Sequence, residues 1–158
     1  MNERELVRYA SLAASSHNTQ PWKFKIDDRS ISILPDFTRR CPVVDPDDHH
    51  LFVSLGCAAE NLLVAAEAGD LRGQLVFDES RDGGTVRIAL EKATACRSSL
   101  FAAITSRQCT RAEYSGQPVP TPDLKLLEDH RVLPGKKDRA TEVARPLVPK
   151  RNWGSKLP

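Results

Sequence analysis

Cysteine is sparse: Cys41, Cys57, Cys96 and Cys109 are widely scattered, with no CxxC pair among them. That pattern argues against a disulfide framework or a thiolate zinc site and points to reduced thiols. Histidine does not supply a metal site either. His49 and His50 are adjacent, so on a helix they point to different sides and cannot chelate as an i, i+4 pair would. No run of eighteen apolar residues exists, so no membrane span is expected. The opening Met1-Asn2-Glu3-Arg4-Glu5 lacks the basic-then-apolar build of a signal peptide, which makes the cytoplasm the expected compartment. There are no internal repeats at solenoid periods and no low-complexity tract.

What is present is ordinary for a soluble globular protein: 158 residues, 40% apolar and 28% charged. This is enough chain for one compact domain and too little to expect two. The net charge of +2 is unevenly spread. Residues 131–158 hold eight Lys/Arg against two acids, a net of +6, which leaves 15 basic and 19 acidic residues, or −4, in 1–130. The basic stretch also carries four of the eleven prolines and little apolar periodicity. It reads as a poorly ordered tail after a domain spanning 1–130. No aromatic stacking pattern accompanies the basic charge, so no nucleic-acid partner is expected.

Apolar spacing predicts a helix over 3–14, with Leu6, Val7, Ala10, Ala13 and Ala14 on one face and Asn2 as N-cap. A polar loop follows at 15–21, since Pro21 disfavours helical geometry for the residue before it. Trp22, Phe24 and Ile26 then alternate with Lys23 and Lys25, and Ile31 and Ile33 continue beyond Asp27-Asp28-Arg29, which predicts a hairpin. The strongest helix signal covers 46–68. Asp45 is a candidate N-cap, Pro46 suits the first helical position and Gly69 can end the helix. Its small-sided middle, Gly56-Cys57-Ala58-Ala59, would admit another backbone closely. Strands are expected around 75–77 and 86–90 with Asp82-Gly83-Gly84 between them. Helices are expected over 97–106 and from Thr121, with Leu124 and Leu127 facing inward. Hairpins mixed with helices, without regular βαβ alternation, indicate an α+β fold of antiparallel strands packed on a long central helix.

Two segments carry chemistry. Ser15-Ser16-His17-Asn18-Thr19-Gln20-Pro21-Trp22 gathers hydroxyls and amides that both donate and accept hydrogen bonds, as the edge of a heteroaromatic ring requires. Taken alone, it reads equally as a turn and capping segment. Arg107-Gln108-Cys109-Thr110-Arg111 places two arginines four apart at a helix end. They could grip a phosphate bidentately or merely offset the helix dipole.

Together the two segments resemble the signatures of the nitroreductase family, Ser-Ser-x-Asn-x-Gln-Pro-Trp and Arg-x-Ser-x-Arg/Lys. Tyr114-Ser115-Gly116-Gln117-Pro118-Val119, which follows, also resembles the family, and Val53–Leu63 is similar to its long central helix. The resemblance covers roughly residues 5–129. It implies an FMN-dependent oxidoreductase that takes electrons from NAD(P)H and passes them to a small nitroaromatic or quinone-type acceptor. Ser15, Ser16, Asn18 and Gln20 would then contact the flavin and ribityl chain. Arg107 and Arg111 would contact the phosphate, the ribityl chain and the pyrimidine edge, with Cys109 in the family's serine position. No side chain need act as a catalytic acid. The motif order matches a bacterial two-repeat subfamily in which one chain mimics the usual dimer. The chain then looks like the first repeat plus the start of the second, a truncated or frameshifted half-domain. The resemblance further implies a homodimer with the cofactor at the interface. A flavin-holding protein without turnover, or an inactive remnant, is the alternative.

Overall fold

A computed structural model describes residues 1–80, 82–110, 112–113 and 115–125. The basic tail, Leu127, Tyr114 and Arg111 lie outside the described residues. Helix α1 spans Glu3–Ser11, strands β1 Trp22–Asp27 and β2 Ser30–Pro35, helix α2 His49–Ala68, strands β3 Leu71–Asp78 and β4 Thr85–Lys92, and helix α3 Ser99–Ser106. The fold is therefore α+β. Its one sheet has four antiparallel strands in the order β1-β2-β4-β3.

Local chemistry explains most element boundaries. Asn2 closes α1 with a reciprocal capping box: its side chain accepts from the Glu5 amide, and Glu5 accepts from the Asn2 amide, each at 2.9 Å. The helix ends at Ser11, three residues before the predicted end, although Ala13 beyond it is still buried. The start of α2 also differs from expectation. The helix begins at His49, with Asp48 in the left-handed region as N-cap, and Asp45 lies outside it. The Asp45 carboxylate reaches forward instead, accepting from the amides of His50 and Leu51 at 3.0 Å each. It thus supplies the cap from a turn away. Ser98 caps α3 through the Phe101 amide. Residues 121–125 form a helical turn, but Leu124 is exposed rather than inward-facing.

The core is one cluster with members from α1 (Leu6, Ala10), β2 (Ile31, Ile33), β4 (Val86, Ile88, Leu90) and α2 (Leu51, Leu55, Ala58, Ala59, Leu62, Leu63). Register places Ile31 opposite Ile88 and Ile33 opposite Val86, so the buried face of the sheet is a block of β-branched pairs. Of the small residues in α2, Ala58 and Ala59 are fully buried, whereas Cys57 faces solvent. Asn61 on α2 donates its amide to the Tyr9 carbonyl of α1 at 3.2 Å. By length and composition alone α2 would reach across a bilayer. Eleven of its residues are buried within this fold, as in a core helix.

Gly73 on β3 lies under Leu63. A Cβ there would overlap Leu63 Cδ2 and press on Ile88 Cγ2 at 3.0 Å. Both side chains are buried and cannot swing into solvent. Gly73→Ala is expected to cost about 1–3 kcal/mol through overpacking, read as a lower urea midpoint at unchanged slope.

Candidate functional site

The polar loop after α1 holds an unusual backbone. His17, Asn18 and Gln20 all have positive φ, at 50°, 56° and 49°. Each such residue other than glycine costs on the order of 1–3 kcal/mol, and such strain concentrates at functional sites. Asparagine tolerates the left-handed region better than most residues, which suits position 18. A 3₁₀ turn over Ser16–Asn18 results, closed by the Asn18 amide on the Ser15 carbonyl and the Thr19 amide on the Ser16 carbonyl.

The loop is clamped on every side. Within it, Ser15 Oγ accepts from the Gln20 amide at 3.0 Å, and Thr19 Oγ1 donates to the Ser16 carbonyl. On the α2 side, the Ser16 amide donates to Ser54 Oγ at 3.2 Å. On the β2 side, the Asp36 amide donates to the Pro21 carbonyl, and Arg39 reaches the Thr19 carbonyl at 3.4 Å. Asp36 is buried, accepts from Thr38 Oγ1 at 2.6 Å and pairs with Lys23 at 3.1 Å and Arg39 at 3.7 Å. The Thr38 hydroxyl, with help from Lys23, holds the Asp36 carboxyl below its ordinary pKa against the effect of burial.

Each predicted contact residue other than Arg111 has a definite place. Ser15 and Ser16 are half-buried, with Ser15 Oγ and the Ser16 backbone taken up by the clamps. The side chains of Asn18 and Gln20 are exposed, and neither amide is hydrogen-bonded among the described residues. Arg107 follows α3 directly and donates to the Leu12 carbonyl at 2.9 Å, three residues before Ser15. Its other terminal nitrogen meets Cys109 Sγ at 3.0 Å. Arg107 also acts on Cys57, one helical turn beyond Ser54. Desolvation by the surrounding chain raises the Cys57 thiol pKa, although the residue keeps solvent contact, and the Arg107 charge pulls the other way. The loop and Arg107 therefore both lie near the end of α1 and the 54–57 stretch of α2. Arg111 lies outside the described residues.

Sequence reasoning missed Ser54, the residue that joins the loop to α2. A lone hydroxyl within an apolar helix stripe was the available signal, because a buried hydroxyl needs a partner. The loop also lines a small cleft with Arg39, Arg40, Cys41 and Asp45, which has room for about one water molecule. Ligand pockets usually measure roughly 300–1,000 Å³, so a flavin ring does not fit inside this cleft. Among the described residues no group of three metal-ligating side chains stands together.

Asp45 is buried and also faces the His50 ring at 3.3 Å. Burial raises its pKa, but the His50 and Leu51 amides and the His50 ring outweigh burial and hold it below 3.8. A depressed carboxyl contributes stability that is complete above its unfolded value and is lost as pH falls through the folded one. Asp45→Asn keeps one acceptor and loses the other, so it should cost about 0.5–1.5 kcal/mol at neutral pH, the worth of one hydrogen bond. That gap should close on acidification below 3.8, as read from urea unfolding of both proteins across the acid range.

No family model matches the chain. Two curated proteins from two strains of Mycobacterium tuberculosis, both provisionally named NAD(P)H nitroreductases, are 30% identical to it over 130 residues. The match covers 78% of this chain and 37% of each relative, so the chain spans a little over a third of their length. These similarities agree with the resemblance to the nitroreductase family that the two motifs carry.

Proposed function

We propose that the chain forms one wall of an FMN site in an NAD(P)H-dependent, nitroreductase-type oxidoreductase, with nitroaromatic or quinone-type compounds as small-molecule acceptors. The observation that carries this reading is the loop at 15–20. Three non-glycine residues hold left-handed backbone there and present two unengaged amides, with Arg107 anchored three residues upstream of the loop. Such a surface suits a planar ring whose edge alternates donors and acceptors. When bound, FMN supplies the electron transfer between nicotinamide and acceptor.

The chain's own residues bind and orient. Asn18 and Gln20 offer amides to the ring edge. Arg107 keeps donors beyond the two it spends on Leu12 and Cys109, and these suit a phosphate or ribityl oxygen. Arg111 takes the same role by resemblance. Cys109, a weaker donor than the family's serine, adds little.

The sheet and its long helix α2 read as a nitroreductase-like half-domain. A cleft with room for about one water molecule cannot enclose a flavin, so the opposite wall comes from elsewhere. We assign it to a second copy in a cytoplasmic homodimer. In a longer two-repeat parent, a further repeat would take its place. A second reading is flavin binding without turnover.

Asn18→Ala combined with Gln20→Ala is expected to weaken FMN binding by about 1–3 kcal/mol per buried partner left unpaired. Unchanged affinity in a flavin titration removes the loop from the site. Arg107→Lys keeps the charge and loses the fork, so FMN should bind more weakly while riboflavin suffers less. Equal losses for the two ligands would contradict the phosphate role. Adding NAD(P)H to the FMN-loaded protein and following flavin absorbance separates turnover from mere holding.

A further inference from the structure

Ser54 sits on α2, 3% exposed, in a stripe that is otherwise apolar. Its Oγ–H donates to the His50 carbonyl at 2.6 Å, one turn back, and its lone pair accepts the Ser16 amide at 3.2 Å. The helix itself has little use for this hydroxyl, because the His50 carbonyl already lies in the ordinary i to i+4 ladder of the helix. Back-bonding of this kind gives a helix no stability. It does fix the direction of the oxygen. With its hydrogen committed to His50, Ser54 can only accept from the loop, and a hydroxyl that is donating becomes a better acceptor.

The Ser16 amide is the first backbone donor of the strained run, directly before His17, Asn18 and Gln20 with their positive φ. Hydrogen bonds from the loop's own residues, such as Gln20 N–H to Ser15 Oγ, move with the loop and cannot fix it to the core. Arg39 holds the far end from an exposed side chain at 3.4 Å. Ser54 is the buried attachment at the near end.

We propose that Ser54 is a positioning residue for the ligand-binding loop, holding the Ser16 amide so that the left-handed backbone at 17, 18 and 20 presents the Asn18 and Gln20 amides preformed. The inference rests on the FMN reading for its ligand, but its structural half does not need FMN. Preforming a loop lowers the ordering cost of binding, so its loss falls on affinity rather than on fold.

Ser54→Ala and Ser54→Thr test this by FMN titration, thermal unfolding and hydrogen exchange at the Ser16 amide. Alanine suits a helix interior, so the melting temperature should change little. The Ser16 amide should exchange faster, and FMN should bind about tenfold more weakly because the loop must then be ordered on binding. Threonine keeps the hydroxyl and should restore both properties. Wild-type exchange at Ser16 in the alanine variant overturns the proposal, and so does fast exchange with undiminished FMN affinity. If the wild-type chain binds no FMN, the functional reading fails, and the Ser16 exchange rates in the two variants still decide the role of Ser54.

Discussion

Helix α2 brings eleven buried residues into the core, and the other elements are disposed around the need to keep them dry. A chain this short has few ways to do so. Helix α1 covers one flank, where the alanines at 58 and 59 permit close approach and Asn61 ties α2 to the Tyr9 carbonyl. Strands β2 and β4 contribute the paired Ile31, Ile33, Val86 and Ile88. Gly73 removes the one side chain that would hold β3 away from Leu63. Each fully buried aliphatic side chain is worth about 1.5–3 kcal/mol, the same order as the strain of one left-handed residue.

That strain is spent in the loop after α1. Three left-handed residues within four positions would relax in an isolated peptide. They persist because hydrogen bonds from three directions, α2 through Ser54, β2 through Asp36 and Arg39, and the loop itself through Ser15, over-determine the backbone. Of these, the link through Ser54 joins the loop directly to the dry interior. The rigidity of the helix core thereby becomes rigidity of a surface that carries free amides.

Periodicity in the sequence foretold much of this frame. Alternation at 22–26 and 31–33 marked the β1–β2 hairpin, and the three-and-four spacing after residue 50 marked α2, because burial on one face writes directly into residue order. The start of α2 was misread for a physical reason. Asp45-Pro46 has the composition of a cap, yet the carboxylate serves amides five and six residues ahead, a reach that residue spacing alone does not distinguish from a true N-cap. Leu124 was expected to face inward because Leu127 shares its helical face, but apolar spacing says nothing about whether a surface exists to cover it. The polar loop at 15–20 was visible, because Pro21 and the run of hydroxyls and amides interrupt the apolar pattern. Its left-handed backbone was not, because positive φ is uncommon for any residue but glycine and the loop contains none. Ser54 was hidden for the opposite reason, a single polar letter in an apolar run.

The strand order β1-β2-β4-β3 leaves β1 and β3 as outer strands, and the two are not equally protected. Lys23 and Lys25 stand exposed on β1, where their charge discourages a further strand from adding. On β3 the exposed side chains are Arg72, Gln74 and Val76, the last 62% exposed, with Leu75 and Phe77 half-buried between them. Among the described residues no strand pairs with the outer side of β3, and a strand of this composition with an open row of amides is a template for self-association. Any tendency of the chain to cloud when concentrated or warmed would start at this margin of the sheet, far in the sequence from the loop at 15–20.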